Sequence, residues 1–164
     1  MSDKPRLQWL RWWWPVCLWA ALTASFSTES FSSEHTSSIL IPFLHRLFPG
    51  VPVETLALVH YLVRKSAHVL EYFIFSLLVV RAIQGARRGW RIEWGIAAVV
   101  ASAGWAGLDE LHQAFVPSRG ASMIDVGIDT CGAIAAQALL AAAEWLRARR
   151  AGADSTLDTR ARGV

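Results

Sequence analysis

The sequence predicts an all-α integral membrane protein with four crossing helices and a short amphipathic helix on the outer face. Three observations lead there. Of 164 residues, 54% are hydrophobic and only 18% are charged, where a soluble domain carries about 25% charged residues. Tryptophan is abundant, and Trp9, Trp12, Trp13, Trp14 and Trp19 crowd the amino-terminal stretch, as suits indoles at a membrane–water interface. Four apolar runs each approach the ~20 residues that cross ~30 Å of hydrocarbon. Composition alone would also allow a very apolar soluble helical bundle.

The elements follow in order. The first run, 12–26, is short, so it recruits flanking tryptophans or a thinned bilayer. With its basic start and small residues near Ser25 it also resembles a signal peptide, but the tryptophans suit an anchored helix better. "STESFSSEHTSS" reads as a polar loop. "ILIPFLHRLF" then places Ile39, Leu40, Phe43, Leu44, Leu47 and Phe48 near helical spacing. It is too short to cross and is stopped by Pro49, Gly50 and Pro52, so it is expected to lie on the outer interface. The second run is 67–83, the third 92–108 continuing toward Phe115, and the fourth 123–146, rich in small residues. The polar tail is expected to be disordered. This divides the chain into a cytoplasmic segment 1–11, a membrane domain 12–146 and a cytoplasmic tail 147–164. Cys17 and Cys131 lie in separate apolar runs and show no paired or metal-binding spacing.

The charges orient the runs. Lys4, Arg6 and Arg11 precede the first; Arg81, Arg87, Arg88 and Arg91 link the second to the third; Arg147, Arg149, Arg150, Arg160 and Arg162 follow the fourth. Only Arg46, Arg64, Lys65 and Arg119 fall in the other loops. The positive-inside bias therefore predicts a multi-pass protein with both termini and Arg87–Arg88 cytoplasmic, and His35 and Pro117 outside. The net charge of +3 serves orientation rather than nucleic-acid binding.

That topology gathers polar residues from three runs at one outer-leaflet layer. Lys65, His68 and Tyr72 are three and four apart and form one helical stripe, with Glu71 beside His68. "DELHQAFVPSRG" closes the third run with Asp109, Glu110, His112 and Gln113. Ser122, Asp125, Asp129 and Gly132 form a stripe on the fourth. A charge facing lipid costs about 2.5–3.5 kcal/mol near a helix centre, so these groups should face one another or water. Arg64 and Lys65 could instead only snorkel, Glu71 could merely pair with one of them, and Tyr72 could be an interfacial tyrosine.

"RKSAHVLEYFIFSLL" followed by "DELHQAFVPSRGASMIDVGIDTCGAIAA" resembles the VanZ-like family of small bacterial membrane proteins. The pattern falls on Lys65, His68 and Tyr72, then on Asp109, Glu110, Gln113, Phe115, Pro117 and Arg119, then on Ser122 and Asp125. "TASFSTES" resembles the serine-rich exit of the family's first span. One position departs, since Asp129 stands where the family usually has Asn. That carboxyl would be protonated or paired with a cation such as Lys65 or Arg119.

The resemblance implies a bacterial inner-membrane location and a link to the cell envelope, the founding member being associated with teicoplanin resistance. As an enzyme on a lipid-linked or amphiphilic envelope substrate, the chain would bind anionic groups with Lys65 and Arg119. His68 or Glu110 would serve as acid or base, oriented by Asp109 or Asp125. Tyr72, Gln113, Ser122 and Asp129 would complete the substrate-binding wall. As a non-catalytic binder or modulator, it would use the same cations for the ligand and the carboxylates for charge balance. A transport role has little room in four short helices. His68, Glu71, Glu110, His112 and Asp125 are conceivable metal ligands, but no HExxH-like spacing is present, and Lys65 and Arg119 in the same layer oppose a bound cation. The residues imply no particular cofactor and no nucleic-acid partner.

Overall fold

The computed structural model describes residues 4–26, 33–115 and 121–161. Among these the chain forms five helices and no strand: α1 (Lys4–Phe26), α2 (Ser33–Leu47), α3 (Val53–Gln84), α4 (Ile92–Gln113) and α5 (Met123–Ala161). Two of them, α3 and α5 over Met123–Gly152, are long and apolar enough to cross a membrane.

Local chemistry sets the ends. Pro52 sits at the N-cap of α3 with φ −56°, a value its ring imposes. Gly85 closes α3 at φ 60°, where a side chain would be strained. Ser122 caps α5, its Oγ accepting from the Asp125 N–H at 3.4 Å.

Four boundaries differ from the sequence reading, the first being that of α1, which begins at Lys4 rather than 12. Helix α3 begins at Val53 rather than 67, because its amino-terminal half continues the apolar pattern through Leu56, Val59 and Val63. The polar "SEHTSS" belongs to α2 and not to a loop. The stretch expected to be a disordered tail continues α5 to Ala161. Its alanines and arginines are strong helix formers, and Glu144 meets Arg147 one turn on at 3.6 Å.

Helix α3 packs against all four others, most extensively against α5. Contacts fix the directions. Lys65 meets Asp125 and Ser76 meets Gln137, so α3 and α5 run parallel. Trp12 lies under Arg81 while Trp19 reaches Glu71, so α1 is antiparallel to α3. Glu110 meets Ser122 while Trp90 meets Gln137, so α4 is antiparallel to α5.

Tyr72, Phe75, Val79 and Val80 of α3 form the core with Val16 of α1 and Ala98 and Ala106 of α4. Small side chains bring the helices close. Ala98, Ala106, Ala133 and Ala136 are fully buried, and a Cβ at Gly132 would collide with the backbone carbonyl of Val69. Six tryptophans (Trp12, Trp13, Trp19, Trp90, Trp94 and Trp105) pack against this core, whereas Trp9 and Trp14 are exposed.

Candidate functional site

At one end of the bundle, α3, the end of α4 and the start of α5 bring their polar side chains to one level. Because α4 and α5 are antiparallel and consecutive, Asp109, Glu110 and Gln113 must lie near Ser122 and Asp125. The buried carboxylate of Glu110 accepts from the Ser122 N–H at 2.7 Å. Negative charge is favourable there, against the positive end of the α5 dipole. Gln113, also buried, donates to Asp109 Oδ2 at 2.9 Å.

Two cross-helix pairs join α3 to α5. Lys65 Nζ donates to Asp125 Oδ1 at 2.5 Å, with both side chains about four-fifths buried (21% and 24% exposed). The ammonium also lies 5.4 Å from the centre of the Tyr61 ring. One turn deeper, His68 Nδ1 approaches Asp129 Oδ1 at 3.4 Å, and Asp129 is only 2% exposed. The partner of Asp129 is therefore His68. Lys65, expected as one possible counter-charge, is taken by Asp125. Among the described residues, His68 Nδ1, Asp129 Oδ1 and Tyr72 Oη are buried without a hydrogen-bond partner of good geometry.

On the other side of α3 lies a cavity of about 360 Å³ between α1, α2, α3 and α4. Its polar lining includes His60, Arg64, His68, Glu71 and Tyr72 of α3 and Asp109 of α4, and its apolar lining includes Val63 and Ala67 of α3, Phe26 of α1 and Leu40 of α2. Tryptophans brace this lining. Trp19 donates to the Glu71 carbonyl at 3.0 Å, and Trp105 donates to Thr23 Oγ1 at 3.1 Å.

The sequence-predicted residues thus divide. His68, Tyr72 and Asp109 line the cavity. Lys65, Glu110, Gln113, Ser122, Asp125 and Asp129 hold the α3–α4–α5 junction behind it, with Asp129 reaching His68. Arg119 and Pro117 lie outside the described residues. Sequence reasoning missed His60, Thr23 and Thr36, and it treated Arg64 and Glu71 as accessory. The signal was there for α3, since His60, Arg64, Ala67 and Glu71 recur at helical spacing once the helix is known to begin at Val53. Among the described residues no group of three or more His, Cys, Asp or Glu could hold a metal ion. The proposed set of His68, Glu71, Glu110, His112 and Asp125 is therefore not gathered around one point.

Bundle and site together define a small helical protein with a charged layer set into apolar helices. The VanZ/LLP1 family matches residues 12–144, and the chain belongs to that family. No curated protein and no solved structure is significantly similar to it.

Proposed function

We propose that this chain is a multi-pass protein of the bacterial cytoplasmic membrane, with both termini inside. It receives the polar head of an amphiphilic, lipid-linked cell-envelope molecule at the outer leaflet. The observation that carries this reading is the mixed lining of the cavity, where the ionisable groups of α3 and α4 share one space with Phe26 of α1 and Leu40 of α2. An amphiphile matches both at once. His68 is the group placed for proton transfer. Its Nδ1 is turned to Asp129, which leaves Nε2 for a ligand. Binding is the first-order function, and acid–base chemistry at His68 would make the protein an enzyme.

A second reading, a purely structural polar network, is favoured for Lys65 and Asp125 by their ion pair and for Glu110 by its bond from the Ser122 N–H. It does not account for the cavity.

Filling the cavity tests the proposal. Ala67→Trp projects into the cavity from an exposed position on α3. In nanodiscs it is expected to abolish binding of a fluorescent short-chain, polyprenyl-phosphate-linked precursor while leaving the melting temperature within a few degrees of wild type. Glycopeptide resistance is the phenotypic corollary: teicoplanin tolerance conferred by expressing the chain should be lost in the same variant. Undiminished precursor binding in Ala67→Trp would remove the cavity from the argument.

A further inference from the structure

A second concave surface lies where α4 packs on α5, at the end of the bundle opposite the carboxylates. It encloses about 360 Å³ and is almost wholly apolar, walled by Ile92, Ile96 and Val100 of α4 and by Ile134 and Ala138 of α5. From Ile92 to Val100 it extends about 12 Å along the helix, at ~1.5 Å per residue.

The groove is held open by its own structure. The Trp90 ring fills the space beside Gly95, where a Cβ would meet it at 2.6 Å. Trp90 is fixed in turn by donating Nε1–H to Gln137 Oε1 at 3.1 Å, and Gln137 is anchored to Ser76. A cleft fixed in this way has little ordering cost when a chain enters it.

Its mouth is basic. Arg87, Arg88 and Arg91 are all exposed in the segment joining α3 to α4. Arg87 donates to the carbonyls of Ile83 and Gln84, closing the end of α3. Arg91 meets Glu93 at 3.4 Å. Arg88 has no ion-pair partner among the described residues. The other nearby carboxylate, Glu144, meets Arg147 through Oε2 at 3.6 Å, while its Oε1 lies beside Gly89.

We infer that the α4–α5 groove is a binding site for an anionic phospholipid, with one acyl chain along Ile96 and Val100 and the phosphate at Arg88. Charge complementarity selects this occupant. A second copy of the chain would bring its own arginines to the same edge, whereas a phosphate neutralises them. The inference rests on the membrane-spanning part of the proposed function but is independent of the outer cavity.

The test uses the full chain purified in detergent, with native mass spectrometry against phosphatidylglycerol and phosphatidylcholine of identical acyl chains. Phosphatidylglycerol is expected to be retained about fivefold more strongly, the order of one arginine at a lipid surface. Arg88→Gln should abolish the preference. Ala138→Phe, which occupies the groove and leaves every charge in place, should weaken both lipids. Equal retention of the two lipids by the wild type, a preference that survives Arg88→Gln, or unchanged binding in Ala138→Phe would each overturn the site. Recovery of the wild-type chain in the soluble fraction would instead overturn the membrane reading on which it depends.

Discussion

Lys65 and Asp125 meet across the α3–α5 contact with about a fifth of each side chain exposed. Two charges so placed gain more from each other than a surface pair does, and removing one leaves the other poorly solvated. Lys65→Met is therefore expected to lower stability by about 1–3 kcal/mol, below the ~3–5 kcal/mol of a fully buried pair because some water remains. Asp125→Asn in the same protein should restore most of it, read as the melting temperature in detergent. If Lys65 also contacts a ligand, the double variant stays inactive in the envelope phenotype. Full recovery of both stability and phenotype would leave Lys65 a structural ion-pair partner only. The stripe of Lys65, His68 and Tyr72 was legible because helical periodicity fixes which residues share a face. The partner of Asp129 was not, since spacing gives depth but cannot choose between Lys65 and a histidine one turn away.

Among the elements, α3 and α5 carry the site, and their parallel contact depends on one missing side chain. A Cβ at Gly132 would run into the Val69 carbonyl, a backbone atom that no rotamer change can move. Gly132→Val is expected to push the helices apart, cost about 1–3 kcal/mol as overpacking does, and loosen both the Lys65–Asp125 and the His68–Asp129 approaches. The thermal midpoint reports the first effect, and cysteine crosslinking between α3 and α5 reports the second. An unchanged midpoint and crosslinking yield would mean that the contact is wider than the structure has it. Most helix cores were legible from apolar runs, and the end of the second run at 83 falls next to the α3 stop at Gln84. The start of α2 and the extension of α5 were not, because "SEHTSS" and the residues after Leu146 look polar while their helices continue. The cavity was only half legible. Periodicity found His68 and Tyr72 of its α3 lining but not His60, and nothing in one sequence says that Phe26 of α1 and Leu40 of α2 share the same space.

At the scale of the whole molecule the bundle is electrically polarised. Trp12 of α1 lies against Arg81 at the end of α3, and Arg91 directly precedes α4. Glu144, near the end of the α5 core, comes within 3.4 Å of a Cβ built at Gly89. The arginine-rich ends of four helices are thereby brought to one side, while Asp109, Glu110, Asp125 and Asp129 occupy the other. Measured along α3, the 20 or so residues that span hydrocarbon, counted back from Gln84, reach Arg64 and Lys65. These two cations would then sit at the outer boundary, with His68, Glu71 and Tyr72 just beneath it. The positive-inside tendency favours one of the two possible orientations, and the proposed outer-leaflet role of the cavity depends on it. Cysteine labelling in intact cells decides it. With Cys17→Ala and Cys131→Ala as background, Gly50→Cys and Ala121→Cys are expected to react with a membrane-impermeant maleimide from outside. Arg88→Cys should react only after the cells are opened. The reverse pattern would place the carboxylates and their cavity in the cytoplasm, which removes an outer-leaflet envelope ligand from consideration. Labelling of all three from outside would mean that α3, the centre of the packing, does not cross the membrane.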